Sequence, residues 1–297
     1  MLLGSLGMRS TPRLPYIIKK TTIIVQMKKL LFTYLVITIT CVAQGQVKER
    51  FISLSAGGGL HQLRYQLDNG SSKGCAGFSL NAGYTIFVSK NWGISSGVGM
   101  HSLRTEGTIN CTTTTPDIDS EGENYELRTY YKGWKEEQKA LLISIPLTAT
   151  FRHTLTPKLG VMANAGAMVF IPVSATYKAV GGIISTKGYY SRWNVEISDL
   201  PEQGFHTYTS RPTGDLSLRP TLSLCASLGG TYMLTESISL YADVYASYGL
   251  NSMLKSDSKP IFQKDGNYNS LLTSSQAEKV RAATLGLTLG VRWSLSR

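Results

Sequence analysis

In the stretch "AGFSLNAGYTIFV", residues 76–88, every second side chain is apolar. Phe78, Leu80, Ala82, Tyr84, Ile86 and Val88 share one parity, and Gly77, Ser79, Asn81, Gly83 and Thr85 share the other. A period of two belongs to a β-strand, whose successive side chains point to opposite faces. The unit recurs from residue 92 onward (Trp92, Ile94, Val98, Met100), and over 141–152, 159–171, 221–232, 238–248 and 283–297. With a first strand near 51–67, the pattern predicts eight strands. The apolar parity holds no Asp, Glu, Lys or Arg at the centre of any of them, and the opposite parity is Gly, Ser, Thr and Asn with single charges. An Arg or Lys facing lipid at mid-depth costs about 2–4 kcal/mol, so a charge-free outward face is what a membrane barrel requires. A water-soluble sandwich buries its apolar face and has no need of that exclusion.

The predicted fold is all-β, an eight-stranded antiparallel up-and-down transmembrane β-barrel over 46–297. Predicted connections alternate in length. Those at 89–91, 154–157 and 235–236 are short, while 105–138, 177–217 and 255–278 are long and 68–75 is modest. Membrane barrels place short turns on the periplasmic side and longer loops outside. Tyr84, Phe87, Trp92, Phe151, Tyr232 and Trp293 are expected to form an aromatic girdle on the short-turn side.

Met27, Lys28 and Lys29 precede the uncharged run "LLFTYLVITITCVA", and Ala43, Gln44 and Gly45 follow with small residues at a cleavage spacing. This predicts a cleaved signal peptide over 27–45, with 1–26 as an upstream extension. "TITC" lacks the small residue that precedes a lipidated cysteine, so no lipid anchor is expected at Cys41. Residues 1–45 hold six of the 30 basic residues and none of the 19 acidic ones, so the exported part has a net charge of +5 rather than +11. That balance, with no basic helix or zinc spacing, argues against nucleic acid.

"GYTIFVSKNWGISSGVG", "LLISIPLTATFRH" and the closing "ATLGLTLGVRWSLSR", together with the signal peptide, resemble the small outer-membrane β-barrel proteins of Gram-negative bacteria, the OmpA/OmpX-like and porin-like group. The resemblance covers 46–297. It implies integral outer-membrane location, delivery by the outer-membrane insertion machinery, and lipid and lipopolysaccharide as surroundings. The terminal aromatic of that family's insertion signal is missing, since Leu295, Ser296 and Arg297 end the chain.

Arg152, Asp243, Arg292, His61, His101, Asn81 and Asn164 fall on the inward parity. They are read either as a pore filter or as a polar filling that must neutralise itself, because unpaired buried charges are costly. Asp243 and Arg292 lie on the last two strands and could pair, with Arg152 joining across the lumen. A lipid hydrolase would need a histidine, a serine and a carboxylate near the outer surface. His101 and Ser102 are adjacent in sequence, but neighbours on a strand point apart. "DIDSEGE" opens like a calcium loop, yet its twelfth position is Arg128 instead of Glu, so no metal or cofactor is expected. Cys75 and Cys111 could form a disulfide across the first two outer loops, while Cys225 points inward alone. Tyr125, Tyr130, Tyr131 and Trp134 in the second outer loop, and Tyr189, Tyr190, Trp193, His206 and Tyr208 in the third, either recognise an extracellular protein or glycan or pack on one another. The functional expectation is a non-enzymatic barrel acting through its loops in surface interaction or envelope integrity. A narrow porin-like channel, a lipid-modifying hydrolase and a component of a secretion apparatus are the alternatives.

Overall fold

The computed structural model describes residues 49–254, 259–262 and 267–295. The predicted signal peptide, the segment before it, Cys41 and the last two residues lie outside these. Eight long strands build the molecule: β1 (Glu49–Leu67), β2 (Ala76–Phe87), β3 (Trp92–Ile118), β4 (Asn124–Thr154), β5 (Leu159–Tyr190), β6 (Thr221–Met233), β7 (Ile238–Gly249) and β8 (Ala277–Ser294). Each pairs antiparallel with the next, and the first meets the last: Phe51 faces Thr85 of β2 on one side and Ser294 of β8 on the other. The sheet therefore closes and leaves no edge within the barrel.

The wall follows the sequence parity. Leu228, Leu287 and Leu289 are 65%, 65% and 68% exposed, and Leu54, Leu80, Val98 and Val244 also face outward. Residues this apolar cannot face water in such number, and a closed ring satisfies every backbone group without it. The fold is an eight-stranded transmembrane barrel. Trp92 and Phe151 pack at 5.1 Å on the outer wall beside the short turns, with Tyr232 nearby on the same side. Phe87 departs from the predicted girdle: it is fully buried and faces the lumen.

At a definite height the polarity of the strands that rise above the bilayer, β1, β3, β4, β5 and β8, reverses. Along β4 the outward residues run Phe151, Ala149, Leu147, Ile145, Ile143 and Leu141, then Lys139, Glu137 and Lys135. The inward ones run Thr150, Thr148 and Ser144, then Leu142, Ala140 and finally Trp134. Below the switch lipid lies outside and polar residues fill the lumen; above it water lies outside and apolar residues form an ordinary core. β1 switches between Leu60 and Arg64, and β8 between Leu285 and Arg281.

This reversal explains the main correction to the sequence expectation. Residues 105–138 and the start of 177–217 are not loops. β3, β4 and β5 continue as strands of 27, 31 and 32 residues, where about 9–11 suffice to cross a bilayer, and only 119–123 turn between β3 and β4. The surplus forms a tower above the switch. Gly133 (φ 57°) and Gly182 (φ 86°) mark a bulge where β4 and β5 change register, and a Cβ on Gly182 would lie 2.3 Å from the Gly133 carbonyl oxygen. Short strands Gly70–Gly74, Val195–Ile197, Thr207–Tyr208 and Thr213–Asp215 pair along the edges of β3 and β5.

In the connection after β7, the described residues 250–254, 259–262 and 267–276 fold back into the barrel mouth. Of these, Met253 and Leu272 pack with Leu63, Tyr65, Leu103, Leu142, Phe170 and Val280 of the wall, and Leu216 joins from the preceding connection. Ile261, Phe262 and Leu271 pack against Tyr131, Trp134 and Ile184 of the tower.

Candidate functional site

The lumen is layered. At the short-turn end, Arg152 pairs with Glu49 at 2.5 Å, lies 3.8 Å from the Phe87 ring centroid and donates from Nε to the Lys90 carbonyl. Arg292, also inward, lies over Phe51 and Tyr241 at 5.6 and 5.4 Å. The expected pairing of Asp243 with Arg292 is not formed. The register places Asp243 opposite Thr288 and Arg292 opposite Ser239, so the two side chains stand on different rungs although their strands are neighbours. Arg152 does reach across the lumen, from β4 to Glu49 of β1, so its partner there is that carboxylate and not Asp243.

Above this runs a circumferential chain of hydrogen bonds. Thr85 meets Ser95 at 2.7 Å, Ser95 meets Thr150 at 2.5 Å, Thr150 donates to Asn164 at 2.7 Å, and Asn164 donates to Ser227 at 2.9 Å. The chain touches every strand from β2 to β6, and Asp243 of β7 and its register partner Thr288 of β8 line the lumen beyond it. Serine, threonine and asparagine recur on the inward parity because a lumen this narrow leaves room for short polar side chains that satisfy one another. Asn81 and His101 line the cavity of about 200 Å³ beside it.

One layer higher, the His61 ring is bonded to the Tyr245 hydroxyl, and His101 Nε2 lies 3.0 Å from Ser144 Oγ. Both histidines are buried, and the His101 ring packs edge-on to Phe170 at 5.1 Å. His101 Nδ1 has no hydrogen-bond partner among the described residues, so no carboxylate orients the ring. Sequence reasoning missed Ser144 and Tyr245 because the first contact depends on the β3–β4 register and the second skips over β8, and neither leaves a local spacing.

The apolar plug closes the lumen over the histidines. Glu136 sits at its top, 1% exposed. It accepts hydrogen bonds from Gln138 Nε2 (2.9 Å), from Ser270 Oγ and from the Leu271 amide (3.0 Å), while the Tyr65 hydroxyl donates to Gln138 at 2.9 Å. Ser270 Oγ also accepts from the Leu272 amide, capping the short 3-10 turn Leu271–Thr273. Burial pushes the Glu136 carboxyl up to about 7, against these bonds, which favour the charged form. Burial and the nearby Glu136 also push Tyr65 upward.

In the tower, Tyr125, Tyr131, Trp134 and Tyr190 are buried. Tyr125 stacks on Tyr190 at 5.4 Å, and Trp134 on Tyr268 at 6.2 Å. Tyr189 carries the Arg128 guanidinium at 3.7 Å, the Tyr130 hydroxyl donates to Glu196, and His206 packs on Tyr208 at 3.9 Å. Trp193 remains exposed. Packing thus accounts for most of the aromatic residues of these segments. In "DIDSEGE", the Asp119 carboxylate accepts from the Glu121 and Glu123 amides, so it is spent on closing its own turn.

Cys75, Cys111 and Cys225 are free thiols. The disulfide expected between Cys75 and Cys111 is not formed: the Cys75 amide bonds the Arg104 carbonyl, seven residues and about 23 Å along β3 from Cys111.

No family model matches the sequence, and no curated protein does. Among solved structures the chain is similar to Neisserial surface protein A (12% identity, TM-score 0.33, covering 82% of this chain and 96% of that one). It is also similar to the outer membrane protein OprG of Pseudomonas aeruginosa (11%, TM-score 0.34, 86% and 99%) and to the attachment invasion locus protein Ail of Yersinia pestis (13%, TM-score 0.32, 82% and 99%). These are distant likenesses. The ring of eight paired strands, and not the neighbours, carries the description of the fold.

Proposed function

We propose that the chain is a non-enzymatic barrel of the Gram-negative outer membrane, exported by a cleaved signal peptide, whose work is done by the tower on the cell surface. Contact with an extracellular protein or glycan, or reinforcement of the envelope, is the role this architecture suits. The observation that carries the reading is the closed lumen: Leu216, Met253 and Leu272 come from connecting segments and fill the barrel mouth as a core, while three strands are extended into an ordered tower. A conduit for solutes gains nothing from such a plug. His101 and Ser144 are buried beneath the plug, line only the small inner cavity and have no orienting carboxylate among the described residues, which supports the non-catalytic reading.

Conductance of the purified barrel in a planar bilayer tests this. Folded protein that inserts without current is the expected result. Discrete, reproducible steps would overturn the reading and assign solute passage instead.

A further inference from the structure

Arg64 of β1 and Arg281 of β8 are register partners across the seam where the first strand meets the last, and both point outward. Like charges directly opposite one another on an antiparallel pair repel. No carboxylate of the described residues lies within ion-pair distance of either. Elsewhere at the same height the cations are neutralised: Arg104 by Glu137 at 2.7 Å, Lys135 by Glu106 at 2.7 Å and Lys139 by Glu137 at 3.1 Å. At the seam the two guanidiniums instead flank one ring, Tyr248 of β7, at 5.9 and 5.6 Å, and Arg281 donates to its hydroxyl at 3.1 Å. Arg281 Nε is buried without an acceptor among the described residues.

The backbone is irregular at this spot. The register slips between Arg64 and Gln66, and Lys279 takes a left-handed φ of 43°, a conformation rare outside glycine. Bulges of this kind re-aim side chains, and here Lys279 is turned outward beside the arginine pair, with the register partners Glu278 and Gln66 lining the same recess. The last wholly apolar rung below is Leu60 opposite Leu285, four residues down each strand from the arginine pair. With a rise of about 3.3 Å per residue and a tilt near 40°, the guanidiniums stand about 10 Å above that rung, at the level of lipid phosphates.

We propose that Arg64, Arg281 and Lys279 form a clamp for the phosphate monoester of an anionic lipid in the outer leaflet, with Tyr248 as its floor. Two guanidinium forks match the oxygen geometry of a phosphate, and its charge relieves the repulsion between them. The proposal rests on the barrel lying in the outer membrane, but not on what the tower does.

The test is binding of diphosphoryl lipid A to the full chain, purified folded in a neutral detergent and followed by native mass spectrometry. Phosphatidylcholine serves as the zwitterionic comparison. The double variant R64Q/R281Q should bind lipid A roughly tenfold more weakly or worse, the equivalent of losing at least one charge-assisted hydrogen bond. R104Q, which breaks a pair already neutralised, should bind as the parent does. Equal binding by the parent and the double variant would overturn the proposal, as would an equal loss in R104Q or equal affinity for phosphatidylcholine. Displacement of lipid A by inorganic phosphate at low millimolar concentration would assign the site to free phosphate and overturn the lipid source; retention supports it. Heat-dependent gel mobility reports whether each variant is folded. Because binding is read in detergent, its outcome is independent of the conductance result.

Discussion

Glu136 is a carboxyl surrounded by the groups that hold the plug, and its ionisation is linked to their closure. Its pKa in the closed plug is raised to about 7 from an ordinary 4.5. A group that binds its proton more tightly in the closed state favours closure when protonated. Its contribution is complete below about pH 4.5 and is lost as pH rises through about 7. Amide exchange at Leu271 and Leu272, corrected for the intrinsic pH dependence, should therefore show greater protection at pH 5 than at pH 8. Glu136→Gln keeps the shape without the charge and should flatten that difference, raising protection at pH 8. A parent profile without pH dependence would remove this account. Nothing in "KEEQK" announces the role, since in sequence it reads as a solvated charge run. Arg64 and Arg281 are hidden for a related reason: 216 positions separate them, and only the seam register makes them neighbours.

The elements themselves divide sharply in how far sequence reveals them. Strand segments within the bilayer are legible because lipid demands one uninterrupted apolar parity; Leu285, Leu287 and Leu289 announce β8 unaided. The tower is not, because the same strand carries the opposite polarity above the switch. A reader following outward apolar residues along β4 stops at Leu141, while the strand continues to Asn124 with its apolar residues now inside. The plug between β7 and β8 is illegible for another reason: its described residues hold little regular structure, and their order comes from burial of Met253, Ile261, Phe262, Leu271 and Leu272. Leu272→Ala removes a side chain that is 1% exposed and should weaken plug closure by about 2–5 kcal/mol. The loss should appear as faster exchange within 250–276. Amides of β6 and β7 in the bilayer should keep their protection; a uniform loss throughout the barrel would show that plug and wall open together.

For the whole molecule, the outward leucines are the anchor and the lumen chain is the frame. Leu287→Arg places a cation in the middle of the lipid-facing wall and should lower the unfolding free energy in lipid vesicles by about 2–4 kcal/mol, measured by denaturant titration. A cost near zero would mean that this face is not in lipid. The polarity switch has a consequence beyond stability. It is written into β1, β4 and β8 at once, from Arg64 through Lys139 to Arg281, so the molecule has a waterline, as a hull does. Riding lower would drown several cations together, and riding higher would strand leucines in the open. In a thinner or thicker film the barrel keeps its draught, and the surrounding lipid has to bend to meet it.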